Sequence, residues 1–147
     1  MKQAVRAIII NNDSLLVMKR NKFGSKYCTL IGGGVDMGEE LETAIRREIS
    51  EETGVTISNP KLVFIEEVEP PYGTQYIFHC EYVSGDVVLS PDAPEAHINR
   101  LGQNLYEPAW IKLSDLKSEE FRPPHLLSVI LQAAKDGFPD KPVPVKG

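Results

Sequence analysis

Three glutamates, Glu48, Glu51 and Glu52, and one arginine, Arg47, share a short stretch of helical periodicity. At about 100° per residue, with Leu41 at zero, Ala44, Ile45 and Ile49 fall at about 300°, 40° and 80° and form one apolar stripe. Glu42, Thr43, Arg46 and Ser50 fall between about 100° and 200°, on a polar face. Glu48 and Glu52 land at about 340° and 20°, in the middle of the apolar stripe, with Glu51 at its edge near 280°. A solvated face with i,i+4 salt bridges accounts for Glu42 and Arg46. It does not account for carboxylates that face inward. Burying them unpaired costs several kcal/mol, and the last turns of a helix disfavour negative charge. Arg47 can pair with Glu51 one turn on, but one arginine cannot satisfy three carboxylates. A hard divalent cation with oxygen ligands, Mg²⁺ or Mn²⁺, can. The periodicity therefore favours a carboxylate metal site over a purely structural ionic network.

Gly32-Gly33-Gly34 stands between a strand and this helix. Glycine permits positive φ and close backbone approach, so a carbonyl there could complete a metal shell; a simple tight turn would use the same residues. No Gly-Lys-Ser/Thr follows, which excludes a P-loop. No hydrophobic βαβ repeat surrounds the glycines, which excludes a dinucleotide fingerprint.

Taken together, Gly33, Glu39, Arg47, Glu48, Ile49, Glu51, Glu52, Gly54 and Val55 resemble, in type and spacing, the Nudix box, and the chain resembles a MutT-like Nudix hydrolase. The flanks agree: Tyr27–Gly33 looks like the strand and glycines before the box, and Glu107–Ile111 with Leu116 like the strand and turn near the family's C-terminus. The residue before the paired glycines is usually proline in the family and here is Ile31, which changes the stiffness of the loop. The resemblance implies an α/β (α+β) fold, an α/β/α sandwich with a mixed β-sheet between helices. It implies hydrolysis of a nucleoside diphosphate linked to another group, by water attack on phosphorus with Mg²⁺ or Mn²⁺. Carried over by position, Glu48, Glu51 and Glu52 are the implied metal ligands, with the Gly32 carbonyl a candidate fourth. Arg47 is implied to orient the glutamates, and Glu39 to support the loop and helix start or to touch the metal through water. The general base is implied to be a box glutamate, Glu48 or Glu51, or a group on a later loop, Glu95 or His97. The alternative is a Nudix-fold domain that senses a nucleotide without cleaving it. The intact box argues against that.

For substrate contacts the expected residues are Arg6 and Arg20 on phosphate, with Lys19 and Lys22 as further candidates, and Tyr27 and Tyr72 for stacking, beside Phe23 and Phe78. Phe78 alternates with core positions and is equally a core residue. Beyond the box, Pro70 matches the ADP-ribose type of the family and Tyr72 the diadenosine-polyphosphate type. One Pro-Pro-Tyr-Gly turn supplies both, so neither decides, and a nucleoside triphosphate or small nucleotide derivative is the expected substrate. His79 in a strand and His125 at a helix start have no histidine partner at metal-ligand spacing.

These residues need a scaffold. Strands are expected at Gln3–Ile10 and Ser14–Arg20, joined as a hairpin by Asn11-Asn12-Asp13. Further strands are expected at Tyr27–Ile31, Lys61–Glu69, Thr74–Val83, Asp86–Leu89 and Leu105–Lys112. Helices are expected from Gly38 to Thr53 and from Pro123-Pro124 to Asp136, each stopped by glycine. Ser114 is a candidate cap for a short turn. Ser90–Asn104 reads as a mobile loop, residues 1–137 as one domain, and residues 138–147 as a loosely held tail. With 147 residues, 41% of them hydrophobic and 25% charged, the chain can bury a full core. A net charge of -5 disfavours general binding to nucleic acid. No apolar run approaches a membrane span and the first residues hold no signal segment, so a cytoplasmic location is expected. Cys28 and Cys80 read as buried thiols. A homodimer is compatible with the sequence.

Overall fold

The hairpin of β1 (Gln3–Asn11) and β2 (Ser14–Lys22) turns on Asn12 and Asp13, both at positive φ (50° and 61°). That is the backbone a two-residue hairpin loop needs. The computed structural model describes residues 2–70 and 73–146. Tyr72 lies outside the described residues. β3 (Ser25–Gly34) pairs antiparallel with both β1 and β2. The long antiparallel strands β4 (Thr56–Val68) and β5 (Gly73–Ser84) join through the parallel pairing of β5 with β1. With β6 (Asn104–Lys112) and β7 (Val143–Val145), the described strands form a mixed sheet in the order β6-β2-β3-β1-β5-β4-β7.

Two helices cover its faces. α1 (Leu41–Thr53) packs Ala44, Ile45 and Ile49 on Val5, Ala7, Leu16 and Ile31. α3 (Pro124–Asp136) packs Leu126 and Ile130 on Ile8, Val17, Leu30 and Ile77 of the other face. This is the expected sandwich, and β1 is buried on both sides because successive residues serve opposite cores. Cys28 and Cys80 are buried free thiols in these two different cores.

Several expected boundaries move. α1 begins at Leu41 rather than Gly38, because Gly38 sits at φ 80°, outside helical space. The glycine run is not a loop after β3 but its end, paired with Ala4, Val5 and Arg6 of β1. Asp86–Leu89 is not a strand. Its chain turns its amides to the open end of α1, where Val88 N–H donates to Thr53 O at 2.8 Å and Ser90 N–H to Glu51 O at 3.0 Å. Those carbonyls have no partner within the helix and must find one outside it. Ser90–Asn104 is not an unstructured loop: it holds α2 (Pro94–Asn99), with proline in its first turn and Ala93 buried beneath it. Asn99 ties α2 to β6, donating to Tyr106 O at 2.8 Å and accepting from Tyr106 N–H at 2.6 Å. Ser114 does not cap the 3₁₀ turn Leu113–Ser118, which starts without a side-chain cap. Residues 138–146 carry two contacts with the sheet. Phe138 stacks on His79 with centroids 4.1 Å apart, and β7 pairs parallel with Phe64–Glu66 of β4.

Candidate active site

α1 presents its carboxylates where the periodicity puts them. Glu48 and Glu52 are 7% and 3% exposed, beside the fully buried Ala44 and Ile45. They face the glycine end of β3. A Cβ on Gly33 would lie 2.7 Å from Glu48 Oε1, so the bare backbone there makes the seat for that carboxylate. Glu52 Oε2 accepts the Gly32 N–H at 3.1 Å. Burial, then the charge and hydrogen bond of Glu48, push the Glu52 carboxyl up to about 10. Burial also raises Glu48. Glu95 of α2 adds to the rise at Glu52, and the Arg6 guanidinium opposes it.

Arg47 is the hub of the cluster. It grips Glu39 with two bonds, Nε to Oε2 and Nη2 to Oε1, both 2.9 Å. Nη1 donates to Glu48 Oε1 at 2.9 Å and reaches Glu51 Oε2 at 3.5 Å, and Nη2 donates to Gly34 O at 3.1 Å. Helix, strand end and the loop between them are thus tied by one planar fork. The Arg47 bonds, and a further one from the Asp36 N–H, hold the Glu39 carboxyl down at about 2, against an ordinary 4.5. Ionised Glu39 is therefore favoured by the fold. Its contribution is complete above about pH 4.5 and is lost as pH falls toward 2. Glu39→Gln should accordingly lower stability at pH 6 and leave it nearly unchanged near pH 2. Urea denaturation at the two pH values checks this; an equal loss at both would show that the ion pair is not the cause.

The expected substrate contacts separate into two groups. Arg6, Arg20 and Tyr27 line one cavity of about 710 Å³ that also reaches His125 and Leu126 of α3. Arg6 also lies within the field of Glu48 and Glu52, which links this cavity to the carboxylates. Lys19, Lys22 and Phe23 are exposed and line no part of it, and Phe78 is core. Glu95 is half-buried near Glu52, while His97 is exposed and bonded to Arg100. Glu66 and Arg122 also line the cavity and are not among the expected contacts, and His125, expected only to lack a histidine partner, lines it beside them. Glu66 is 5% exposed and pairs with His125 Nε2 at the start of α3. Its signal was parity, since it follows Phe64 by two residues and so shares its inward face. Nothing local marks Arg122, which reaches the cavity from the chain before α3.

A mixed sheet between helices, with buried carboxylates of one helix seated against a glycine-rich strand end, defines a narrow class of α/β/α proteins. Residues 1–130 match the NUDIX domain. The NAD-capped RNA hydrolase NudC of Shigella flexneri is 32% identical over 108 residues, 74% of this chain and 38% of that protein. The chain thus spans well under half the length of such curated relatives. Among solved structures, an ADP-ribose pyrophosphatase of Streptococcus suis superposes with TM-score 0.67 at 17% identity, covering 97% of this chain and 96% of that one. A MutT NUDIX hydrolase of Burkholderia pseudomallei gives 0.64 at 21%, covering 89% and 95%. The chain belongs to the Nudix family. No helix among the described residues is long and apolar enough to cross a membrane.

Proposed function

We propose that the chain hydrolyses a pyrophosphate bond in a nucleoside diphosphate linked to another group, using a divalent cation, Mg²⁺ or Mn²⁺. The carrying observation is the buried Glu48–Glu52 pair seated against Gly33. Two adjacent carboxylates at this depth must either hold a proton or share a cation, and the Arg47 fork bonds only Glu48 of the two. The donor set fits a hard ion: Glu48, Glu51 and Glu52, with the Gly32 carbonyl a candidate fourth. Among the described residues, no three His, Cys, Asp or Glu side chains form a ready metal cage, and Arg47 Nη1 bonds Glu48 and reaches Glu51. When bound, the ion supplies positive charge to the phosphoryl oxygens and acidifies an attacking water.

The chain's own groups do the rest. Arg47 holds the helix against the glycine strand so that the glutamates converge. Arg6, in the field of Glu48 and Glu52, offers positive charge to substrate phosphate. Glu48, Glu51 or Glu95 receives the proton of the attacking water. The names of the relatives support a nucleoside diphosphate derivative as substrate, and the expected location is cytoplasmic.

The test is a panel of nucleoside triphosphates, ADP-ribose, NAD, nucleotide sugars, diadenosine polyphosphates and a short NAD-capped RNA, each with Mg²⁺, Mn²⁺ or EDTA. Metal-dependent release of a mononucleotide or of pyrophosphate is expected for at least one. Metal-linked binding without cleavage of any would instead support the sensing domain.

A further inference from the structure

The cavity beside α3 has a built-in polarity. Its lining draws on five strands, from Arg20 of β2 and Tyr27 of β3 through Arg6 of β1 and Gln75 of β5 to Glu66 of β4. Arginines stand at the β2–β3 end, and carboxylates from β4 at the other.

The arginine end is arranged around tyrosine rings. The Arg122 Cζ lies 4.1 Å from the centroid of Tyr27, and the Arg20 Cζ lies 5.6 Å from the same ring. Arg20 also stacks on Tyr106 at 3.7 Å. A guanidinium stacked on a ring keeps its N–H edge free for an anion. Arg20 gives Nε to Leu105 O and Nη2 to Asn104 Oδ1. Its Nη1 has no partner among the described residues, and no ion pair there neutralises it. Arg122 uses only Nη2, on Glu120 at 2.9 Å and Ser25 at 3.4 Å. Both guanidiniums thus line the cavity with donors to spare, Arg20 without an ion pair and Arg122 paired with Glu120 through Nη2 alone among the described residues. At the far end, Glu66 is held by His125, and its charge turns anions away toward the arginines.

We propose that Arg20 and Arg122 form an anion clamp for a phosphate that the nucleotide carries in addition to those flanking the bond to be cut. That the ligand is a nucleotide rests on the function proposed above; the clamp rests on the cavity alone. The tyrosines act as posts that hold the two forks, so Tyr27, expected to stack on a base, has a guanidinium on its ring instead. The additional phosphate has two sources, the ribose or an extended phosphate chain, and both offer the same oxygens.

Calorimetric binding in EDTA tests the clamp without metal or turnover. The probes are AMP with adenosine 2′,5′-bisphosphate and adenosine 3′,5′-bisphosphate, and ADP with ATP. At least one added phosphate should tighten binding about tenfold over its parent, AMP for the bisphosphates and ADP for ATP, a gain in line with one charge-assisted contact. Preference for ATP over ADP assigns the clamp to a chain phosphate, and preference for a bisphosphate over AMP to a ribose phosphate. In Arg122→Ala, an exposed position, that ratio should fall to about one. Arg20→Lys, which keeps the charge but loses the fork and the stack, should reduce it severalfold. A ratio near one in the unaltered protein overturns the clamp, as does a ratio that survives Arg122→Ala, or no measurable binding of any probe. Loss of metal-dependent hydrolysis in the panel with the ratio intact would remove the catalytic reading and leave the clamp. Hydrolysis with a ratio of one would do the reverse.

Discussion

Glu52→Gln is expected to lower turnover by at least about a hundredfold, the scale seen when one group stabilising transition-state charge is removed. Glutamine has nearly the same shape and can still accept the Gly32 N–H that Glu52 Oε2 accepts at 3.1 Å. What it removes is the ability to lose a proton and offer a negative charge to a cation. In the unfolded chain a glutamate gives up its proton near 4.5, whereas in the fold Glu52 is pushed up to about 10. Between those values the folded protein holds a proton that the unfolded chain has released. Stability without metal therefore falls as pH rises through this window. The variant should be the more stable protein in EDTA at pH 8, and should lose most of the stabilisation that millimolar Mg²⁺ gives the unaltered chain. Loss of activity with gain of metal-free stability separates a ligand from a structural residue, whose removal lowers both. Thermal melts with and without Mg²⁺, beside kcat on the best substrate of the panel, provide the test. Near-unaltered turnover would end the carboxylate-metal reading.

The same residue shows what can be read from a sequence. Glu52 and Glu48 were legible because a helix has a fixed period, and two charges inside an apolar stripe are visible at once against it. The strands β1, β2, β5 and β6 were legible as β-branched and apolar runs bounded by turn residues, and the hairpin turn because Asn12 and Asp13 tolerate positive φ. The parts that stayed hidden depend on partners distant in sequence. Val88 and Ser90 are ordinary strand-forming and turn-forming residues; only the open end of α1 turns their amides away from the sheet. β7 is three residues long, Val143-Pro144-Val145, and exists because β4 offers it a free edge. Arg122 has no local signature at all, yet it stacks on Tyr27, a residue nearly a hundred positions earlier. In the candidate site, therefore, the helix-borne half was open to pattern reasoning. The cavity half, assembled from five strands and the chain before α3, was open only as a set of loose cations and aromatics.

Gly32-Gly33-Gly34 looks uniform in sequence, but alanine at the three positions should have three different effects. At Gly32, φ is 152° and an added Cβ would lie 1.9 Å from Val5 O and 2.9 Å from Arg6 Cα. Both obstacles are backbone in the paired strand β1, so nothing flexible can yield. β1 and β3 must part where Arg6 pairs with Gly32 and Ala7 with Ile31. Overpacking and an unfavourable backbone together should cost about 2–4 kcal/mol. The shift also takes the Gly32 N–H from Glu52 and moves Arg6, so activity should fall with stability. At Gly33, the Cβ meets only the Glu48 carboxylate, at 2.7–2.8 Å. A side-chain end can swing aside, so stability should change little while kcat falls, because Glu48 has lost its seat. At Gly34, nothing lies within 4 Å of the added atom, and both quantities should stay near those of the unaltered protein. Urea denaturation and kcat on the three variants separate a glycine needed by the sheet, one needed by the carboxylate and one needed by neither. If Gly32→Ala proves as stable as Gly34→Ala, β1 and β3 do not pair in this register, and the placement of Glu52 against Gly32 falls with it.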